Sequence, residues 1–352
     1  IAIAPNGSGA VQLDGLSWPT ADGSSNQVLK TDGSGALSWA SNTASTSING
    51  LSDALVETNS IYLGQDPSST TSTAQYNFSM GTTALDAITT GDQNVAIGKD
   101  ALTANTTGSS NVAIGYEAMR DNISNQGNVA IGMSALQESK GGEYNTAIGN
   151  NALRGTSDTN ITGDENVAIG AGTMKFNISG TKNTAVGRSS LITNTSGSDN
   201  AVLGYQSLYS NTVSNYNTAV GNYSLYDANR TLDTDGYNTA LGFNAGNTGT
   251  NDVTTGNLNT LLGASTAASA AAGTNQTVIG YGASGVANNS VTMGNSSVTA
   301  WYPGADDTAD LGSSSVEFKD LYIDGTANLD AVDIDGGAID GAAIGANSAT
   351  TG

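Results

Sequence analysis

With 352 residues, 46 of them Gly, only 12% charged and 6% aromatic, the chain lacks the large side chains that fill a thick globular core. It contains no Cys and no His, which excludes disulfides, thiolate or imidazole metal sites, a Cys nucleophile and a Ser-His-Asp triad. A formal charge of −21, from 31 acidic and 10 basic residues, argues against nucleic acid and anionic lipid as partners.

No apolar run reaches the about 18 residues of a membrane-spanning helix, so membrane insertion is not expected. No signal peptide is visible, and a start at Ile1 rather than Met leads us to expect a mature or partial product.

Residues 1–40 read as a β-rich attachment segment. Gly15-Leu-Ser-Trp18-Pro19 and Thr31-Asp32-Gly33-Ser34-Gly35-Ala36-Leu37-Ser38-Trp39 have the pattern of short strands joined by Asp-Gly and Ser-Gly turns. Residues 41–60 form a polar connector, with one helical turn expected around Leu51 to Val56.

Residues 61–300 carry an internal repeat, Asn-(Val/Thr/Ala)-(small)-(Ile/Val/Leu)-Gly. It runs from Asn94 to Gly98, Asn111 to Gly115, Asn128 to Gly132, Asn145 to Gly149 and Asn166 to Gly170. It continues from Asn183 to Gly187, Asn200 to Gly204, Asn217 to Gly221, Asn238 to Gly242 and Asn259 to Gly263. Degenerate copies end at Gly64, Gly81, Gly280 and Gly294. Of the 13 intervals between Gly64 and Gly294, nine are 17 residues, three are 21 and one is 14. The longer intervals end at Gly170, Gly242 and Gly263, so the polar stretch between motifs must be a loop that tolerates insertion.

The motif alternates with period two: aliphatic or β-branched residues at its second and fourth positions, usually Ala between. Gly closes the strand where a turn needs positive φ, and the Asn tolerates the left-handed region. Four residues after the Gly stands Leu85, Leu102, Met119, Leu136, Leu153, Met174, Leu191, Leu208 or Leu225. Each repeat therefore predicts two short strands around a turn. One rung cannot stand alone, but stacked copies pair strand on strand. At about 4.8 Å per rung, 14 rungs give a rod about 60 Å long. The thin Ala/Ile interior suggests that each roll buries another face against two sister chains. A helical reading fails because Gly and Asn every few residues cost too much in a helix.

In residues 301–352, Trp301-Tyr302-Pro303 marks a break, Asp310 to Gly325 reads as a compact β-hairpin, and Asn328 to Gly341 as extended shaft.

The Asn-Val-Ala-Ile-Gly motif resembles the head repeats of trimeric autotransporter adhesins, which implies a left-handed parallel β-roll in a homotrimer. The 17-residue form with Ala-Leu after the Gly looks more like repeats of bacteriophage tail-fibre proteins. Asn26-Gln-Val-Leu-Lys-Thr-Asp-Gly-Ser-Gly-Ala-Leu-Ser-Trp39 and Asp310-Leu-Gly to Asp324-Gly325 are similar to segments of the same class. Together these imply an all-β parallel β-roll or solenoid of about 17-residue rungs with short β-rich fibre flanks. They imply a virion tail or fibre location outside the cell, and partners among other fibre or virion proteins or host surface polysaccharide. A bacterial trimeric adhesin passenger or extracellular filament subunit is the alternative, a polysaccharide-degrading tail spike the remote one.

Few residues suggest chemistry. The Asn residues are expected to form amide ladders along the stack. Tyr209 over Tyr226, and Tyr216 over Tyr237, form rows that either stabilise the stack or meet glycan. Asp330, Asp333, Asp335 and Asp340 miss calcium-loop spacing and read as turn residues. Gly7-Ser-Gly9 and Gly98-Lys99 lack the rest of a phosphate loop. Sequons such as Asn122-Ile-Ser124 and Asn160-Ile-Thr162 follow from composition. No acidic pair recurs within the rungs, so no enzyme activity, metal or cofactor is expected.

Overall fold

The computed structural model describes residues 12–13, 16–19, 21, 23–25, 27–41, 54–57, 59–64, 70–156, 161–231, 235–302, 304, 311–313, 315–320 and 322–324. The chain divides into two compact units, Ile1–Val298 and Thr299–Gly352. The described residues contain strands and turns and no helix.

The first unit opens with two antiparallel pairs. β1 (Gln12–Leu13) pairs with β2 (Leu16–Ser17), and β3 (Gln27–Thr31) with β4 (Leu37–Ser41). The β3–β4 turn is closed by Asp32, whose carboxylate accepts the backbone N–H groups of Ser34 and Ala36 at 2.8 and 3.1 Å. These bonds, led by one from the Ser34 hydroxyl, hold the Asp32 carboxyl down at about 2.

The rest is one 15-stranded sheet. Its members are β5 (Ala54–Glu57), β6 (Ser60–Leu63), β7 (Phe78–Met80), β8 (Val95–Ile97), β9 (Val112–Ile114) and β10 (Val129–Ile131). Then come β11 (Thr146–Ile148), β12 (Val167–Ile169), β13 (Thr184–Val186), β14 (Ala201–Leu203) and β15 (Thr218–Val220). β16 (Thr239–Leu241), β17 (Thr260–Leu262), β18 (Gln276–Ile279) and β19 (Ser290–Met293) complete it. From β6 to β19 every pairing is parallel and joins neighbours in sequence, which makes a β-solenoid of about 17-residue rungs. Register is residue-for-residue: Ala96 pairs with Ala113, Ala113 with Ala130, Ala130 with Ala147. β5 is the exception, running antiparallel to β6 and occupying the first edge of the sheet. The helical turn expected around Leu51 to Val56 is therefore corrected where it can be seen, since Ala54–Glu57 is strand; its four residues exchange bonds with β6.

The motif glycines form a column. A Cβ on Gly98 would lie 2.6 Å from the carbonyl oxygen of Gly115, and one on Gly115 equally close to that of Gly132. These glycines also sit at φ of 126° and 137°, so both backbone freedom and the lack of a side chain are needed here.

Two expectations about the rung need correction. Only one strand forms per rung. The segment after the Gly hydrogen-bonds to neighbouring rungs, but with every second residue left-handed. Asp100 (φ 60°) sends its N–H back to Thr82 O, and Leu102 (φ 52°) sends its own forward to Ala118 O, both at 3.0 Å. The apolar residue of this segment, from Leu85 to Leu225, has φ between 47° and 55° in all nine copies. A left-handed residue costs about 1–2 kcal/mol. Full burial of a Leu or Met contributes about 1.5–3 kcal/mol, and all nine are fully buried. Burial outweighs strain.

The second correction concerns which face is inside. In the strand the small third residue is buried: Ala96, Ala113, Ala130, Ala147, Ala168 and Ala185 have no exposed surface. The larger second and fourth residues point outward. The core is a thin seam of Ala against Leu, and the Val/Ile pair lies outside it. Nor is the motif Asn left-handed; the residue before it is, as in Gln93, Ser110 and Glu165.

Of the three insertions, the last is described in full. It is a loop closed by Val253 N–H to Gly246 O at 2.9 Å and by the Asp252 carboxylate, which accepts Gly249 N–H at 2.8 Å.

In the second unit, the hairpin expected over 310–325 appears among the described residues as one tight antiparallel bridge. Ser313 and Val316 exchange backbone bonds at 2.9 and 3.2 Å. Leu311, Phe318 and Tyr322 are exposed. The expected shaft over 328–341 lies outside the described residues.

Candidate functional site

The motif Asn residues, Asn94, Asn111, Asn128, Asn145, Asn166, Asn183, Asn200, Asn217, Asn238 and Asn259, are all buried. From Asn94 to Asn238 each accepts, through Oδ1, the backbone N–H of the Asn on the next rung, at 2.8–3.2 Å along the row, and Asn259 accepts that of Gln276 at 3.1 Å. The amide nitrogen reaches across the rung to a carbonyl, as Asn94 to Gly108 O at 2.9 Å and Asn145 to Gly163 O at 2.9 Å. Such a residue ties rung to rung and wall to wall at once. These asparagines and glycines are the internal scaffold.

A second buried Asn column, seven residues after the Gly, escaped the sequence reading. It comprises Asn105, Asn122, Asn177, Asn194 and Asn211. Asn194 Nδ2 donates to Asn177 Oδ1 at 2.7 Å, and Asn211 Nδ2 to Asn194 Oδ1 at 2.9 Å. The signal was the recurring Asn at a constant offset from the Gly. The sequon at Asn122 is thereby explained: its Asn is fully buried and belongs to this column.

The outer face of the sheet carries a continuous feature among the described residues. The fourth motif position supplies Ile97, Ile114, Ile131, Ile148, Ile169, Val186, Leu203, Val220, Leu241 and Leu262 in one in-register row. These side chains are half-buried to exposed; Leu203 keeps 50% of its surface and Leu241 46%. Beside them runs the second-position row of Val and Thr. A continuous aliphatic stripe of this kind differs from singly scattered apolar side chains.

Both predicted tyrosine rows exist. Tyr209 stacks on Tyr226 with ring centroids 4.8 Å apart and planes within 12°, and Tyr216 on Tyr237 at 4.8 Å and 7°. Their spacing is that of the rungs. Three further rings, Tyr205, Tyr223 and Phe243, stand beside the first row at offsets one and two from the Gly.

Charge concentrates between rungs 115 and 154. Arg120 binds Asp121 through Nε and Nη2 at 2.7 and 2.9 Å, and reaches Glu138 at 3.2 Å and Glu117 at 3.4 Å. Arg154 Nε donates to Gln137 at 2.9 Å. Hydrogen bonding from Arg120 holds the Asp121 carboxyl below the usual carboxylate range; burial, then the hydrogen bond with Asp121, pushes Glu138 up. The cluster works as an inter-rung clamp.

Among the described residues no group of three or more acidic side chains is placed to hold a metal ion, and no helix is long and apolar enough to cross a membrane. Asp330, Asp333, Asp335 and Asp340, like Gly7-Ser-Gly9 and Asn160, lie outside the described residues. Gly98-Lys99 belongs to the glycine column. Compared with known families and curated proteins, the chain matches no family model and no curated sequence. Its β-solenoid fits a fibrous structural protein.

Proposed function

We propose that the chain is a non-catalytic segment of an extracellular fibre, a homotrimer packed through the aliphatic outer faces of three rolls. In this role it spaces a receptor-binding end from a bacteriophage virion during host attachment, alongside other fibre proteins. The aliphatic row from Ile97 to Leu262 carries the proposal, because it repeats with the rungs and faces away from the chain's own core. Covering the remaining surface of such a side chain contributes on the order of 1 kcal/mol. Summed over ten rungs, this reaches the scale of the about 4–15 kcal/mol cost of association. The strong negative charge suits an extracellular particle and keeps the chains soluble outside the matched face.

Light scattering on the purified chain is the direct test. Three chain masses are expected; a single chain mass at micromolar concentration would overturn the proposal. Antibody labelling of virions by electron microscopy tests the location, with label along the tail fibres as the expected result and unlabelled particles as the contrary one.

A further inference from the structure

One part of the stack departs from the repeat. Six of the 13 tyrosines fall between Tyr205 and Tyr237, and four of these join with Phe243 in one patch on the turn that follows the Gly. Tyr209 and Tyr226 stack face to face, so each covers one face of the other. The remaining rings do not. Tyr223 meets Tyr205 at 5.3 Å and 83°, and Phe243 at 6.2 Å and 87°, edge to face in both cases. It also tilts 54° from Tyr226 at 6.0 Å. Tyr205 and Phe243 stand one residue after the Gly and Tyr223 two, so these rings do not eclipse one another, and Phe243 remains 53% exposed. Polar groups frame the patch. Asn222 Oδ1 accepts Tyr205 N–H at 2.9 Å, and the Arg188 guanidinium lies 5.9 Å from the Tyr205 ring.

An aromatic platform flanked by amide, phenol and guanidinium groups has the chemistry of a carbohydrate site. The C–H face of a pyranose is drawn to the negative face of an aromatic ring, and ring hydroxyls hydrogen-bond to the polar rim. Contact between copies does not account for the patch, since the aliphatic face recurs from rung to rung and the aromatics do not. Stacking of nucleobases is disfavoured by the charge of −21, and so is a polyanionic glycan. We propose that Tyr205, Tyr223, Tyr226 and Phe243, with Arg188 at their edge, bind a neutral hexose-based polysaccharide. This extends the attachment role proposed above and rests on it. The separate Tyr216–Tyr237 stack, just before the motif Asn and not on the turn after the Gly, is outside the site.

The test is retention of the full chain on immobilised neutral polysaccharides (mannan, dextran, galactan and neutral O-antigen chains), with polygalacturonate as the anionic comparison. Binding to at least one neutral polysaccharide is expected. Tyr223→Leu keeps apolar bulk but removes the aromatic face, and it and Phe243→Ala should each lower retention about ten-fold. Tyr237→Ala should leave retention unchanged, with circular dichroism showing an intact roll in all three. The site is overturned if no neutral polysaccharide retains the chain, if only polygalacturonate does, or if Tyr223→Leu and Phe243→Ala bind like the parent. Such a result with light scattering still at three chain masses removes the sugar site alone; a single chain mass removes the fibre assignment instead.

Discussion

The side-chain oxygen of Asn94 accepts the backbone N–H of Asn111, one rung along, at 3.0 Å. The same relation passes from Asn111 to Asn128 and on to Asn145. A buried donor that loses its acceptor costs about 1–3 kcal/mol, which makes this column a sensitive line in the roll.

Asn128→Ala strands two buried groups, the N–H of Asn145 and the carbonyl of Gly142, which Asn128 now satisfies at 2.8 and 3.0 Å. We expect a loss of about 2–4 kcal/mol in denaturant unfolding. Asn128→Asp should lose more, because it places a carboxylate against the Gly142 carbonyl. Unfolding midpoints equal to the parent for both would show that the column is not holding the rungs.

Two glycines a few rungs apart should behave oppositely. At Gly115 a Cβ would lie 2.6 Å from Gly132 O at φ 137°, so Gly115→Ala must separate the rungs and is expected to cost more than about 3 kcal/mol or to prevent folding. At Gly172 the nearest atom is 3.7 Å away, and Asp100 and Glu117 occupy the equivalent position of other rungs at φ 60° and 54°. Gly172→Ala is therefore expected to cost about 1 kcal/mol or less. Thermal unfolding of the two variants side by side decides the matter.

Leu203→Asp places a charge on the outer face without touching the Ala/Leu seam. The assembly is expected to dissociate by light scattering while circular dichroism of each chain stays that of the roll, since Leu203 is half exposed within one chain. Ala130→Asp, buried in the seam, should instead unfold the chain.

The carboxyl pair across rungs predicts a pH dependence with two limbs. Burial raises Glu138 in the folded chain, so its contribution is fully present below the unfolded pKa and is lost as pH rises through the folded one. Asp121 is lowered by Arg120; its contribution is present above its unfolded pKa and lost as pH falls through the folded one. Glu138→Gln imitates the protonated acid. It should equal or exceed the parent in stability at pH 7, and the difference should shrink toward about pH 4, where the parent carries the proton itself. A Glu138→Gln chain less stable than the parent at pH 7, with the deficit vanishing toward about pH 4, would contradict this sign.

Much of the roll was legible before any coordinate. Gly98, Gly115 and Gly132 stand seventeen residues apart in sequence and one above another in space. The stacking of Tyr209 on Tyr226 followed from the same offset. The face assignment was not legible. Period two says that Ala96 and Ile97 point to opposite sides, but it carries no sign, and the larger side chain is ordinarily the buried one. The second Asn column was written in the same offset and was missed; the clamp around Arg120 and the patch around Tyr223 were not legible, because each depends on how rungs that are neighbours in space orient their side chains.

What the sequence alone determined is the stack itself. A fixed repeat length lets every copy offer the same backbone groups at the same height, so in-register parallel pairing satisfies them all. What only the tertiary structure decided is the cross-section of each rung. The two walls approach so closely that the strand points mostly Ala inward, with Val202, Leu261 and Val278 as the larger residues at that position. The facing Leu must turn left-handed to fill the seam, and Val and Ile are left on the outside, where another surface can cover them.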